Sequence, residues 1–171
     1  SSNGRYVSFA SDATNLVRGD TNGATDIFVR DRQNKRTERV SVSSGGVQGN
    51  LASGNGSGFY GISSGWITGD GHYVVFFSEA NNLVPGDTNN KYDVFVRDRQ
   101  TSTTTLVSGG ISAPGNRDAF DPSISADGRY VAFYSNSTNL VPGGTNGNYQ
   151  VFLRDLQTGM TSLVSTGPNG Q

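Results

Sequence analysis

Two seven-residue stretches carry the sharpest chemical pattern in the chain. Asp20-Thr21-Asn22-Gly23-Ala24-Thr25-Asp26 and Asp87-Thr88-Asn89-Asn90-Lys91-Tyr92-Asp93 each place carboxylates at positions one and seven and an amide at position three. A tight loop with this spacing turns all three side-chain oxygens inward. The carbonyl of the fifth residue, Ala24 or Lys91, joins them. Calcium takes about six to eight oxygens in flexible cages of this kind, and water fills the remainder. The sequence therefore points to calcium as a structural fastener. One ligand set is Asp20, Asn22, Ala24 and Asp26, and the other is Asp87, Asn89, Lys91 and Asp93. Two formal charges per loop imply modest affinity, suited to extracellular calcium. A plainer chemistry fits the same residues, because Asp and Asn close Asx-turns and tolerate left-handed backbone. A third stretch, Gly144-Thr145-Asn146-Gly147-Asn148-Tyr149-Gln150, lacks both acids and is expected to hold no metal.

Other chemical material is sparse. With one histidine and no cysteine, disulfides and cysteine-ligated metals are excluded, and triad or zinc chemistry has almost nothing to use. His72 stands where two related segments carry Arg5 and Arg129, on a turn, and is expected to be solvated. Asp118 and Asp121 are the close acids outside the repeated loops, and an acid/base mechanism would have to use them. Phe59, Tyr60, Trp66, Arg117 and Asp118 are the candidate ligand-binding residues. Aromatics on loops stack on sugars or grip a peptide at little entropic cost, or else they plug an interface between structural units. Arg30-Asp31, Arg97-Asp98 and Arg154-Asp155 recur as pairs. Adjacent strand residues point to opposite faces, so the aspartates are expected to cap turns and the arginines to bridge units.

The elements that position these residues are repeats. Gly4-Arg5-Tyr6-Val7-Ser8-Phe9 returns as Gly71-His72-Tyr73-Val74-Val75-Phe76 and Gly128-Arg129-Tyr130-Val131-Ala132-Phe133, spaced 67 and then 57 residues apart. Asp26-Ile27-Phe28-Val29-Arg30-Asp31 returns at 93–98 and, as Gln150-Val151-Phe152-Leu153-Arg154-Asp155, at 150–155. The extra ten residues fall in the Gly/Ser-rich stretch 43–65, where a loop absorbs length. Tyr6–Ser11, Ile27–Asp31 and Thr37–Val42 read as strands, short and rich in β-branched and aromatic residues. Tyr73-Val74-Val75-Phe76-Phe77 is apolar at consecutive positions, the mark of a strand buried on both faces. The second and third repeats add an inner strand, Gly65–Thr68 and Asp121–Ser125. The unit is four antiparallel strands, a propeller blade by period and content.

Asp121-Pro122-Ser123-Ile124-Ser125-Ala126-Asp127-Gly128-Arg129-Tyr130-Val131-Ala132-Phe133 resembles the repeat of TolB-like (WD40-like) propellers: a short inner strand, an Asp-Gly turn, then an apolar strand. Phe152-Leu153-Arg154-Asp155-Leu156-Gln157-Thr158-Gly159 resembles that repeat's third strand and following turn. The acidic loops resemble calcium-binding hairpin loops of other propellers, with fewer acids. The resemblance implies an all-β fold of three blades, about 1–43, 64–108 and 120–165, the first lacking its inner strand. It implies a non-enzymatic, exported module that contacts a protein or glycan. The competing reading is a fragment of a polysaccharide-active lyase or hydrolase using the loop carboxylates. Three blades leave sheet faces and edges bare, so a homodimer or other self-association is expected, unless further blades belong to a longer chain. A net charge of -1, from 13 basic and 14 acidic residues, argues against a nucleic-acid partner. No apolar run has the length of a membrane span.

Overall fold

The computed structural model describes residues 1–54, 66–110 and 113–167. Among these are eleven strands and no helix. They form three antiparallel meanders, one per repeat. The first blade is three-stranded: β1 (Tyr6–Ser11), β2 (Asp26–Asp31) and β3 (Arg36–Arg39). The second runs β4 (Trp66–Ile67), β5 (Tyr73–Ser78), β6 (Asp93–Asp98) and β7 (Thr103–Leu106). The third runs β8 (Ala119–Ile124), β9 (Tyr130–Ser135), β10 (Gln150–Asp155) and β11 (Met160–Leu163). The architecture is the expected one, with a first blade of three strands among the described residues.

One cross-strand pair holds every blade in register. Phe9 lies opposite Phe28, Phe76 opposite Phe95 and Phe133 opposite Phe152. Their rings stack with centroids 5.7, 5.9 and 5.7 Å apart, within the range where aromatic pairs add stability beyond their burial. The middle blade is apolar on both faces because both are covered. Val74, Phe76 and Phe95 pack with Ile27, Val29 and Val40 of the first blade. Val75, Phe77, Val94 and Val96 pack with Val131, Phe133 and Phe152 of the third. Each fully buried Phe or Val contributes roughly 1.5–3 kcal/mol, so these two joints form the core.

A turn glycine completes each joint. Gly71 and Gly128 have φ of +76° and +75°, and a Cβ on either would collide with the ring of Tyr6 or Tyr73 from the preceding blade. The turn before each blade's second position is built alike: the Tyr73 and Tyr130 amides donate to Thr68 Oγ1 and Ser125 Oγ at 3.0 and 2.9 Å. Ser1 Oγ accepts from the Tyr6 amide at 2.9 Å in the same way.

Strand limits depart from the sequence reading at three places. β3 stops at Arg39 rather than Val42, because Ser41 leaves the ladder: its Oγ accepts from the Ile27 amide at 3.1 Å and donates to Asp26 at 2.5 Å. β8 begins two residues early and bulges between Phe120 and Ser123, with Asp121 at φ +49°. β4 keeps only Trp66 and Ile67.

Candidate functional site

The acidic loops join the second and third conserved strand positions of their blades and end on β2 and β6. Asp26 and Asp93 open those strands and are fully buried. Each carboxylate is held by a serine two residues past the outgoing strand: Ser41 Oγ donates to Asp26 Oδ1 and Ser108 Oγ to Asp93 Oδ1, both at 2.5 Å. The third blade places Gln150 in this slot, and Ser165 donates to its Oε1. The slot is one structural feature filled by two acids and one amide.

The asparagines behave differently from the sequence expectation. Asn22 Oδ1 and Asn89 Oδ1 do not face the loop centre. They accept from the Ala24 and Lys91 amides at 3.1 and 2.9 Å, closing Asx-turns. The amide nitrogens face the acids instead. Asn22 Nδ2 lies 3.2 Å from Asp26 Oδ2, and Asn89 Nδ2 2.6 Å from Asp93 Oδ2. They also donate to the Gly49 and Gly115 carbonyls, both at 2.8 Å, tying the loop to the linker beyond the blade. Asn146 forms the same turn with the Asn148 amide at 3.0 Å. The turn chemistry is therefore common to all three loops, while the acids are not.

The first loop differs from the second by one cation. Arg39 Nη1 lies 3.2 Å from both Asp20 Oδ1 and Asp26 Oδ2, and Nη2 donates to the Gly19 carbonyl at 3.0 Å. The guanidinium therefore pairs with Asp20 and Asp26, two of the four residues to which the sequence assigns calcium. Sequence reading missed Arg39 because it lies on the next strand, outside the seven-residue pattern. In the second loop burial raises the Asp87 carboxyl above its ordinary range. Burial pushes Asp93 up to about 7, against the hydrogen bonds from Ser108 and Asn89 and with help from Asp87 and Asp118. No cluster of three or more His, Cys, Asp or Glu arranged for a metal occurs among the described residues.

Asp118 is a structural acceptor, its Oδ1 taking the Tyr92 amide at 3.1 Å. Asp121 sits exposed at the β8 bulge. Arg117 is exposed, and its amide donates to Ser137 Oγ at 3.0 Å. Trp66 is 59% exposed. It lines a cleft with Tyr6, Val7 and Ser8 between β4 and the open edge of β1. Phe59 and Tyr60 lie outside the described residues. The Arg-Asp pairs divide their work as expected. Asp31 Oδ1 accepts from the Gln33 and Asn34 amides at 3.0 and 3.1 Å, while Arg97 reaches the first blade's linker at the Ser43 carbonyl, 3.1 Å away. His72 is not solvated as expected: its Nε2 lies 2.9 Å from Asp98 Oδ1, matching Arg5 on Asp31 and Arg129 on Asp155.

The blades superpose on solved propellers. TolB from Acinetobacter baumannii matches over the whole chain with a TM-score of 0.56 and 19% identity. This is a TolB-like β-propeller fold. A putative TolB from Agrobacterium tumefaciens matches 94% of the chain at TM-score 0.50 and 12% identity. The propeller domain of the Trilobed protease from Pyrococcus furiosus, described as having an open velcro topology, matches 93% at TM-score 0.50 and 10% identity. The chain spans 34%, 45% and 38% of those three chains. At these identities the likeness is one of fold. No protein-family model matches the chain, and no curated protein matches it in sequence. No helix among the described residues is long and apolar enough to cross a membrane.

Proposed function

We propose that the chain is a non-enzymatic propeller module that completes its ring with a second copy and binds a protein or glycan ligand. The observation carrying this reading is the joint between blades, which exists in finished form twice and in separated halves once. At the first joint the Tyr6 ring lies on Gly71. Arg99 stands over that ring at 4.8 Å and donates to the Gly71 carbonyl. At the second joint Tyr73 lies on Gly128. The outer face of the third blade carries the next ring in the series, Tyr130. The outer face of the first blade carries the next socket: Gly4 at φ +67°, with Arg32 donating to its carbonyl at 2.9 Å.

The surfaces around these halves are apolar. Val7 is 44% exposed on the first blade, and Val151 and Val164 are 37% and 52% exposed on the third. Their counterparts Val74, Val94 and Val107 are fully buried within the chain. A head-to-tail interface closes into a ring when its rotation permits. Two chains supply six blades, within the roughly four to eight that close a propeller. The cleft that Trp66 lines with β1 offers an aromatic surface to an extended protein segment or a sugar. Export to the periplasm, the cell surface or the medium belongs to this reading through the resemblance to TolB-type repeats.

Sedimentation mass tests it first. The chain is expected at twice 18.0 kDa, and Tyr130→Ala is expected to weaken the dimer at least about tenfold, as for loss of an aromatic interface anchor. A wild-type chain that is folded and monomeric at high concentration overturns closure by a second copy. It assigns the open faces to further blades of a longer chain.

A further inference from the structure

The two acidic loops are built alike, and the first is filled by a cation of its own. Arg39 lies opposite Phe28 on β3, and its guanidinium touches Asp20 Oδ1, Asp26 Oδ2 and the Gly19 carbonyl. In the second blade the corresponding position, opposite Phe95 on β7, is Leu106. The oxygens that receive the guanidinium have counterparts in Asp87 Oδ1, Asp93 Oδ2 and the Gly86 carbonyl. Asp93 is fully buried and Asp87 is 6% exposed. Asp20 Oδ1 and its counterpart Asp87 Oδ1 are both buried with no hydrogen-bond partner, but Asp20 Oδ1 has the Arg39 guanidinium at 3.2 Å, whereas no ion pair to Asp87 occurs among the described residues. Buried charges are paired or coordinate metals, since an isolated one is very costly.

We propose that the second loop binds one calcium ion through Asp87, Asp93 and the Gly86 carbonyl, and that the first loop binds none because Arg39 takes its place. Leucine cannot supply the missing charge. Gly86, the proposed carbonyl ligand, and Leu106 border an open cleft with Val84, Pro85 and Thr105. An irregular set of oxygens suits calcium, whereas magnesium demands near-ideal octahedral geometry. Asn89 is a positioning residue, holding Asp93 Oδ2 from the side at 2.6 Å. All ligands come from one blade, so the site is independent of ring closure.

Equilibrium dialysis against calcium, paired with thermal melts in calcium and in chelator, tests the site. One ion per chain is expected, with a melting temperature raised by about 5 °C or more at a hundredfold excess over Kd. Leu106→Arg rebuilds the arrangement of the first blade and should abolish both calcium uptake and the chelator effect. Asp87→Asn should abolish uptake without adding bulk, which keeps the test open if Leu106→Arg fails to fold. Asp20→Asn should leave the stoichiometry at one. Overturning results are no bound calcium, two ions per chain, or uptake that survives Asp87→Asn.

Discussion

Single side chains at the blade turns decide how the fold answers to acid. The Arg5 guanidinium holds Asp31 well below the usual carboxylate range, and Arg129 does the same for Asp155. Each aspartate also caps the turn that follows it. The folded-state values are depressed, so these pairs contribute stability above the ordinary carboxylate pKa of about 4, and that stability is lost as pH falls below it. Melting temperature should therefore drop on the acid side of about pH 4. The Asp31→Asn, Asp155→Asn double variant should be less stable at neutral pH and show a shallower acid decline. An equally steep decline in the variant would refute the assignment. These capping roles were legible in the sequence, because a strand-ending Asp that recurs three times before a turn has few other uses. The partners Arg5, His72 and Arg129 were not, because they come from the neighbouring strand through a register that only the folded ladder sets.

Between elements, the outgoing strand of a blade decides what its loop can hold. Arg39 on β3 is nine-tenths buried against Asp20 and Asp26. Removing one partner of a buried pair leaves the other uncompensated and typically costs about 3–5 kcal/mol. Arg39→Leu, which gives the first blade the residue of the second, should lower stability by about that amount in chelator. Denaturant unfolding reads the change directly. A loss under about 1 kcal/mol would mean that the pair contributes as little as an exposed one. Calcium should recover part of the loss, because the variant loop then presents the same oxygens as the loop at Asp87 and Asp93. The acids at positions one and seven could be read from local spacing. Whether they face a guanidinium, an ion or a serine could not, because Arg39, Leu106, Ser41 and Ser108 lie on or just past a strand some 13 to 21 residues downstream. Which atom of each Asn faces the acids was illegible for a related reason: an amide offers both an acceptor and a donor, and spacing alone does not say which faces inward.

For the whole molecule, three blades form two joints, and the proposed closure by a second copy, which sets the Tyr130 face of one chain on the Gly4 face of the other, would make assembly directional. The repeat period was enough to foresee blades, open faces and the missing inner strand, because each repeat buries its faces only against a neighbour. The Tyr-on-Gly joint was not foreseen, since Gly71 and Gly128 read as ordinary turn glycines until the preceding blade is set against them. A ring of two chains contains two identical interfaces, each pairing Tyr130 of one copy with Gly4 of the other. Tyr130→Asp destroys the ring half of the joint, and Arg32→Glu destroys the clamp over the socket half. Each variant alone should be monomeric, because every interface it can form has a damaged half. Mixed together, they retain one intact interface, between Tyr130 of the Arg32→Glu chain and Gly4 of the Tyr130→Asp chain. An equimolar mixture should therefore yield heterodimers, held by one joint and weaker than the wild-type pair, detectable by labelling one variant and following co-sedimentation. A symmetric interface unrelated to the blade faces would give no such complementation, since the same patch would be damaged or intact on both sides. Heterodimers in the mixture, with monomers in each variant alone, would tie self-association to the blade joint itself.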